Sequence, residues 1–137
     1  MNLLGFNFDK ISVEKLSDKA KEIKINTNVE IKEVFEVKAD LLKSEDSVIA
    51  LKFEYLINYA PDFAKIDFKG NIVVSMSSDE AKDILNNWKN KKLSDSAKLG
   101  IFNVILTKCN IKAFQLEEDL NLPLHLPLFK IKKSDSD

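Results

Sequence analysis

Arginine does not occur in this chain of 137 residues; its 21 basic side chains are all lysine, set against 22 carboxylates for a formal charge of -1. A guanidinium fork is the usual grip on phosphate, and a basic excess is the electrostatic footprint of a nucleic-acid binder. With both missing, no nucleic-acid partner is expected. One cysteine excludes an internal disulfide. No apolar run approaches the roughly eighteen residues of a membrane-spanning helix. The opening Met1 to Phe6 lacks the basic region and long apolar run of a secretory signal, so a cytoplasmic protein is expected.

The three glycines, Gly5, Gly70 and Gly100, stand apart, which leaves no phosphate-cradling loop. His125 is the only histidine. A metal site needs several convergent ligands and a catalytic imidazole needs an orienting partner, so His125 reads as a structural residue. Glu117, Glu118 and Asp119 are carboxylates in sequence, but successive helix positions diverge by about 100°. They read as a solvated face rather than a cation site. No catalytic residue, metal or cofactor is expected, and the protein is read as no enzyme. An enzymatic alternative would have only Tyr55, Tyr59 and His125 as polar points, with no acid–base pair.

What the chain has in abundance is apolar periodicity, with 45% hydrophobic residues in a length that suits one domain over 1-137, its end from 130 to 137 a frayed polar tail. Leu4, Phe6 and Phe8 alternate as in a half-buried strand, and the parity slips after Asp9 and Lys10, which predicts a bulge. Residues 14 to 28 are mostly polar, with Leu16, Ile23 and Ile25 as anchors, and read as a connection with a strand start at its end. Val29, Ile31, Phe35 and Val37 alternate with charges in a second strand. After a turn at 43 to 47 comes the longest strand candidate, Val48 to Tyr59, whose odd positions from Ile49 to Tyr59 are all apolar. Pro61 predicts a type I turn into a fourth strand, with Ala64, Ile66, Phe68, Ile72, Val74 and Met76 facing in. Gly70 in that row marks a bulge or a place where a helix crosses close to the backbone.

Ser77 and Glu80 have capping-box spacing and open a short amphipathic helix with Ala81, Ile84, Leu85 and Trp88 on one face. Lys89, Lys91 and Lys92 are placed to offset its dipole. Ser94 caps a long helix that ends before Pro123. Ile101, Ile105, Cys109, Ala113, Leu116 and Leu120 draw one stripe along it, and Leu99, Phe102, Leu106, Ile111 and Phe114 widen the stripe until its first half is apolar nearly all round. Such a helix calls for two covers, the sheet and either a second helix or a partner subunit. Ile101, Phe102, Ile105 and Cys109 are therefore the candidate oligomer interface. Leu122 to Phe129, interrupted by Pro123 and Pro127, reads as an extended segment laid on an apolar surface.

Strands first and helices after, without alternation, predict an α+β domain: a four-stranded antiparallel sheet with a short and a long helix packed on one face. Its aromatic surface suits apolar peptide segments. The candidate peptide-binding residues are Phe6, Phe8, Tyr55, Tyr59, Phe63, Trp88, Leu124 and Leu126, with Phe63 and Trp88 expected to be partly exposed.

The segment LTKCNIKAFQLEEDLNLPLHLPLFKIK resembles the end of a group of small prokaryotic proteins similar to SecB, the export chaperone. The shared features are Cys109, Asn110, Ile111, Lys112 and Ala113, then Leu122, Pro123, Pro127 and Lys130, with Trp88 upstream in a helix. The resemblance implies a SecB-like sheet that joins partners through strand edges and helices. It also implies apolar grooves that bind unfolded or nascent polypeptide, and no catalysis. A holdase would use a groove between the sheet, the 14 to 28 connection and the long helix, in a homo-oligomer, a dimer or tetramer. The alternative is a scaffold recognising one folded partner, for example in a phage or a toxin–antitoxin system.

Overall fold

Four strands are followed by two helices: β1 (Asn2–Lys15), β2 (Lys24–Val37), β3 (Ser47–Ala60), β4 (Ala64–Met76), α1 (Ser78–Trp88) and α2 (Asp95–Asp119). This is a computed structural model, and it describes residues 1–19, 22–38 and 46–127. The expected turn at 43 to 47 falls largely outside these residues, as do Leu128, Phe129 and the tail from 130.

The strands form one antiparallel sheet in the order β1-β4-β3-β2, so the two most apolar strands lie at its centre. Alternation makes this order favourable: Ile49, Leu51, Phe53, Tyr55, Ile57 and Tyr59 are at most 1% exposed, and Ile66, Phe68 and Ile72 from β4 complete the row. The opposite face is charged. Lys69 pairs with Glu54 across strands at 3.7 Å and Lys52 with Glu33 at 3.8 Å. Such exposed pairs contribute only about 0.2–1 kcal/mol each and set the outward face more than the stability.

In β1 the register shifts between Phe8 and Lys10, where the parity of the sequence slips, and again between Leu3 and Gly5. Gly70 lies opposite Phe8 at this bulge. A Cβ on Gly70 would meet the Asn7 carbonyl oxygen and, at 2.8 Å, the Phe53 ring, so the close approach is to a neighbouring strand rather than to a helix.

Three expectations need correction. β1 runs to Lys15 and β2 starts at Lys24, which shortens the 14 to 28 connection to residues 16 to 23. Ile25, Thr27 and Val29 pair with Tyr59, Ile57 and Tyr55, and an edge strand tolerates the polar Asn26 and Asn28 between them. The β3–β4 reversal closes through the Phe63 amide donating to the Tyr59 carbonyl at 3.0 Å, a five-residue turn instead of the four-residue type I. And α1 stops at Trp88, so Lys89, Lys91 and Lys92 lie past its last turn.

Both helices have the serine caps that the sequence predicts. Ser77 Oγ accepts from the Glu80 amide and Ser94 Oγ from the Ala97 amide, both at 3.3 Å. Both end in the same way, on a residue in the left-handed region. Lys91 (φ 57°) follows α1 and Asn121 (φ 53°) follows α2. The next amide folds back each time, Lys92 to the Asn87 carbonyl at 3.2 Å and Leu122 to the Glu117 carbonyl at 2.8 Å.

α2 turns the stripe Ile101, Ile105, Cys109, Ala113 and Glu117 into the core. Among the described residues it is covered on one side only. Leu99 is 66% exposed and Ile111 56%, where the broad apolar pattern predicts a second cover.

Candidate functional site

Carboxylates are disfavoured at the carboxyl end of a helix, where the dipole is negative, yet α2 ends in Glu117, Glu118 and Asp119. Glu117 is compensated by a set of donors. Tyr59 from β3 hydrogen-bonds its carboxylate, the His125 amide donates to Oε2 at 3.0 Å, and His125 Nδ1 lies 2.9 Å from Oε1. A carboxylate only accepts, so Nδ1 carries a proton. On the other side of the ring, Nε2 is 2.9 Å from Asn110 Oδ1 and 3.1 Å from the Tyr55 hydroxyl, which donates to the same Asn110 oxygen at 2.7 Å.

The Glu117 and His125 side chains are 0% exposed. The Tyr59 hydroxyl also faces the Pro123 carbonyl at 2.9 Å, and the Phe114 ring covers the imidazole at 4.9 Å between centroids. These five side chains bind three pieces of the chain together: β3, α2 and the segment from Leu122 to Pro127. Burial pushes the Tyr55 phenol well above its ordinary range, and burial followed by the Glu117 hydrogen bond does the same to Tyr59. Both remain neutral donors. Glu, His and Tyr are residue types that acid–base chemistry uses, but enclosed side chains with all partners inside the protein hold a fold together. Cys109, one turn before Ala113 on the same stripe, is a buried thiol pushed up to about 12 by desolvation, inert as a nucleophile at neutral pH.

The surface beside α2 is more open. At its amino end a groove of about 480 Å³ has a floor of Val29, Ile31, Trp88, Leu93 and Phe102. Lys32, Lys91, Lys92 and Lys98 rim it, with Glu30 as the one acid. At the carboxyl end a depression of about 520 Å³ lies between Ile23, Phe63, Leu122 and Leu124, with Glu118 and Asn121 on its edge. This second depression is lined from the β1–β2 connection, the β3–β4 turn, the end of α2 and the segment after it, with no strand residue in its wall, whereas the groove expected from the sequence has the sheet as one side.

The predicted binding residues are thus divided. Tyr55, Tyr59 and Phe63 are buried, the last at 7% exposure, because it folds back under its turn. Phe6 and Phe8 are half-buried, with Phe6 stacked on Phe53 at 5.3 Å and Phe8 edge-on to Phe68 at 5.4 Å. Trp88 is half-buried in the first groove, and Leu124 and Leu126 are exposed. Of the predicted interface, Ile101, Ile105 and Cys109 are at most 1% exposed in the chain's own core, and Phe102 reaches the surface. Glu117 is the residue that sequence reasoning missed. Its signal was the step of four, 101, 105, 109, 113, 117, which carries straight to a carboxylate instead of to Leu116.

No family model and no curated protein matches the chain. Among solved structures the chain is similar to the SecB-like chaperone Rv1957 of Mycobacterium tuberculosis, in complex with a ChAD peptide from the Rv1956 HigA1 antitoxin. The TM-score is 0.51 at 14% identity, over 97% of this chain and 91% of that one. At this identity the likeness is one of fold, and it bears out the SecB-like α+β architecture.

Proposed function

We propose, from the premise of a shared SecB-like fold, that the protein is a non-catalytic chaperone that binds extended polypeptide in the grooves flanking α2. The observation that carries the reading is the pair of apolar-floored depressions at the two ends of that helix. Concave apolar surface with polar rims is what a peptide-binding site requires. The solved SecB-like neighbour holds a peptide, which supports the same class of ligand here. The test is aggregation of several chemically denatured proteins with and without the chaperone, together with binding of fluorescent apolar peptides. Slowed aggregation and saturable binding are expected; absence of both would refute the reading.

The antitoxin origin of the neighbour's peptide favours a second reading, a chaperone dedicated to one client. Protection of a single substrate among many would support it over a general holdase.

A homo-oligomer is part of the proposal. β1 is a sheet edge of 14 residues, and Leu3, Leu4 and Ile11 on it are 44–51% exposed. A long apolar edge is a template for pairing with another chain. Edge-to-edge pairing of two β1 strands satisfies both the backbone and these side chains. Sedimentation equilibrium gives the mass; a dimer or a multiple of it is expected, and a monomer at micromolar concentration would overturn this part.

A further inference from the structure

The geometry points to an acidic, extended segment with an apolar anchor as the occupant of the groove between β2, Trp88 and the first turns of α2. This rests on the reading of the protein as a polypeptide binder and specifies the chemistry of the polypeptide.

Two features carry it. The first is the strand edge. Val29, Glu30, Ile31 and Lys32 are successive residues that all line the groove. Successive side chains in a strand point to opposite faces, so a space touched by all four lies along the strand's edge. Among the described residues β2 pairs only with β3, which leaves that edge open to hydrogen bonds from an added extended chain. The second is charge. Four lysines surround the groove in a protein whose net charge is -1. The one acid, Glu30, is already bonded to Lys32. Lys91, Lys92 and Lys98 form no ion pair among the described residues.

Two of these ammonium groups are held at the apolar walls, Lys91 4.9 Å from the Trp88 ring centroid and Lys98 5.5 Å from that of Phe102. Lys91 also occupies a left-handed backbone position that glycine or asparagine takes at lower cost. An acidic segment would pair with these lysines while its apolar side chain covers Trp88. A basic segment would meet repulsion from the same rim.

Trp88 is the only tryptophan, so its emission reports occupancy of this groove. Three peptides would be titrated that share their apolar residues and carry Glu, Gln or Lys at every polar position, alongside vesicles of phosphatidylserine. The Glu peptide is expected to bind at least about tenfold more tightly than the Lys peptide, with the gap closing as salt shortens the Debye length below about 10 Å. Lys91→Glu with Lys98→Glu, both on exposed side chains, is expected to reverse the order. Equal binding of all three peptides would overturn the charge selectivity and leave the general chaperone reading standing. A Glu preference that survives the double variant would move the site elsewhere and overturn the assignment. A Trp88 response to vesicles but not to peptides would replace the peptide with a membrane surface. No binding of any peptide, with no slowing of aggregation, would overturn both readings together.

Discussion

The two ends of α2 are built to opposite specifications. At its carboxyl end Asn110 and Glu117 meet Tyr55, Tyr59 and His125 in a cluster whose acid and imidazole are wholly enclosed. At its amino end Lys98 and Phe102 stand over an open groove with unpaired lysines on its rim, among the described residues. Glu117 lies on the buried stripe of α2, whereas Lys98 is exposed and Phe102 half-buried beside that stripe, so the two ends differ both in the helix face they use and in what the neighbouring elements supply. The segment from Leu122 to Pro127 closes over the Glu117 carboxylate by donating an amide and a ring; no described element closes over the lysines at the other end. Enclosure within a hydrogen-bonded network gives rigidity, and openness with unmatched charge gives a surface that gains by being covered.

Removing the acid from the closed end gives the sharpest contrast. Glu117→Ala leaves Tyr59, the His125 amide and His125 Nδ1 without their acceptor, and breaking a buried pair on one side costs about 3–5 kcal/mol. Lys98→Ala at the open end is expected to change stability by less than about 0.5 kcal/mol. Urea denaturation of the two variants decides it. Equal midpoints would mean that the cluster does not hold the fold, and the contrast between the ends would dissolve.

Thiol reactivity is the next test of enclosure. Burial holds Cys109 up to about 12 against an ordinary 9.0, so the native thiol is almost entirely protonated at pH 8. Its alkylation is expected to run about a thousandfold slower in the native protein than in urea, in proportion to the smaller thiolate fraction. The linkage has a definite sign. Tyr55, Tyr59 and Cys109 all have raised folded values, so their contribution is present below the unfolded values of 9.0 and 10.0 and is lost as pH rises through that region. Stability measured from pH 7 upward is expected to fall above about 9. A flat profile to pH 11 would mean that these groups are open to water.

Tyr59→Phe and Tyr55→Phe separate the members of the cluster. Tyr59→Phe removes a donor from a buried carboxylate and is expected to cost about 1–3 kcal/mol. Tyr55→Phe removes the hydroxyl that donates to Asn110 Oδ1, a bond between two neutral groups, and is expected to cost nearer 1 kcal/mol. A double-mutant cycle of Tyr59→Phe with Glu117→Ala should show strong non-additivity, since both remove one bond. Additive losses would place the two groups in separate environments.

Much of the scaffold was legible in the sequence because period and polarity agree there. The row from Ile49 to Tyr59, the slip after Asp9 and the caps Ser77 and Ser94 each announce themselves locally. The SecB-like order of strands and helices could be read from the same pattern. The cluster could not. Glu117 looks solvated because two further carboxylates follow it, and its donors come from residues 58 positions away in β3 and from a proline-containing segment with no period of its own. Nor does an apolar stripe state its destination: Ile101, Ile105 and Cys109 pack on the sheet where a partner subunit would satisfy the same pattern. The first groove has its own cause of invisibility. Its lysines come from β2, the α1–α2 link and α2, and only the tertiary fold makes them neighbours.

The smallest effect is the most discriminating for the open end. Lys91 holds φ 57° after α1, where its Cβ is crowded and an asparagine would be at ease. Were Lys91 only a helix terminator, Lys91→Asn would be neutral or favourable in every respect. Stability is expected to rise, by no more than about 1 kcal/mol, because the substitution relieves the left-handed strain. Binding of an acidic peptide is expected to weaken at the same time, because one of the rim's ammonium groups is lost from above Trp88. The two readouts then move in opposite directions, and that divergence separates a residue kept for a ligand from one kept for the fold. If stability rises and the acidic peptide binds as before, Lys91 has no part in recognition, and the open end of α2 owes its selectivity to Lys92 and Lys98 or has none.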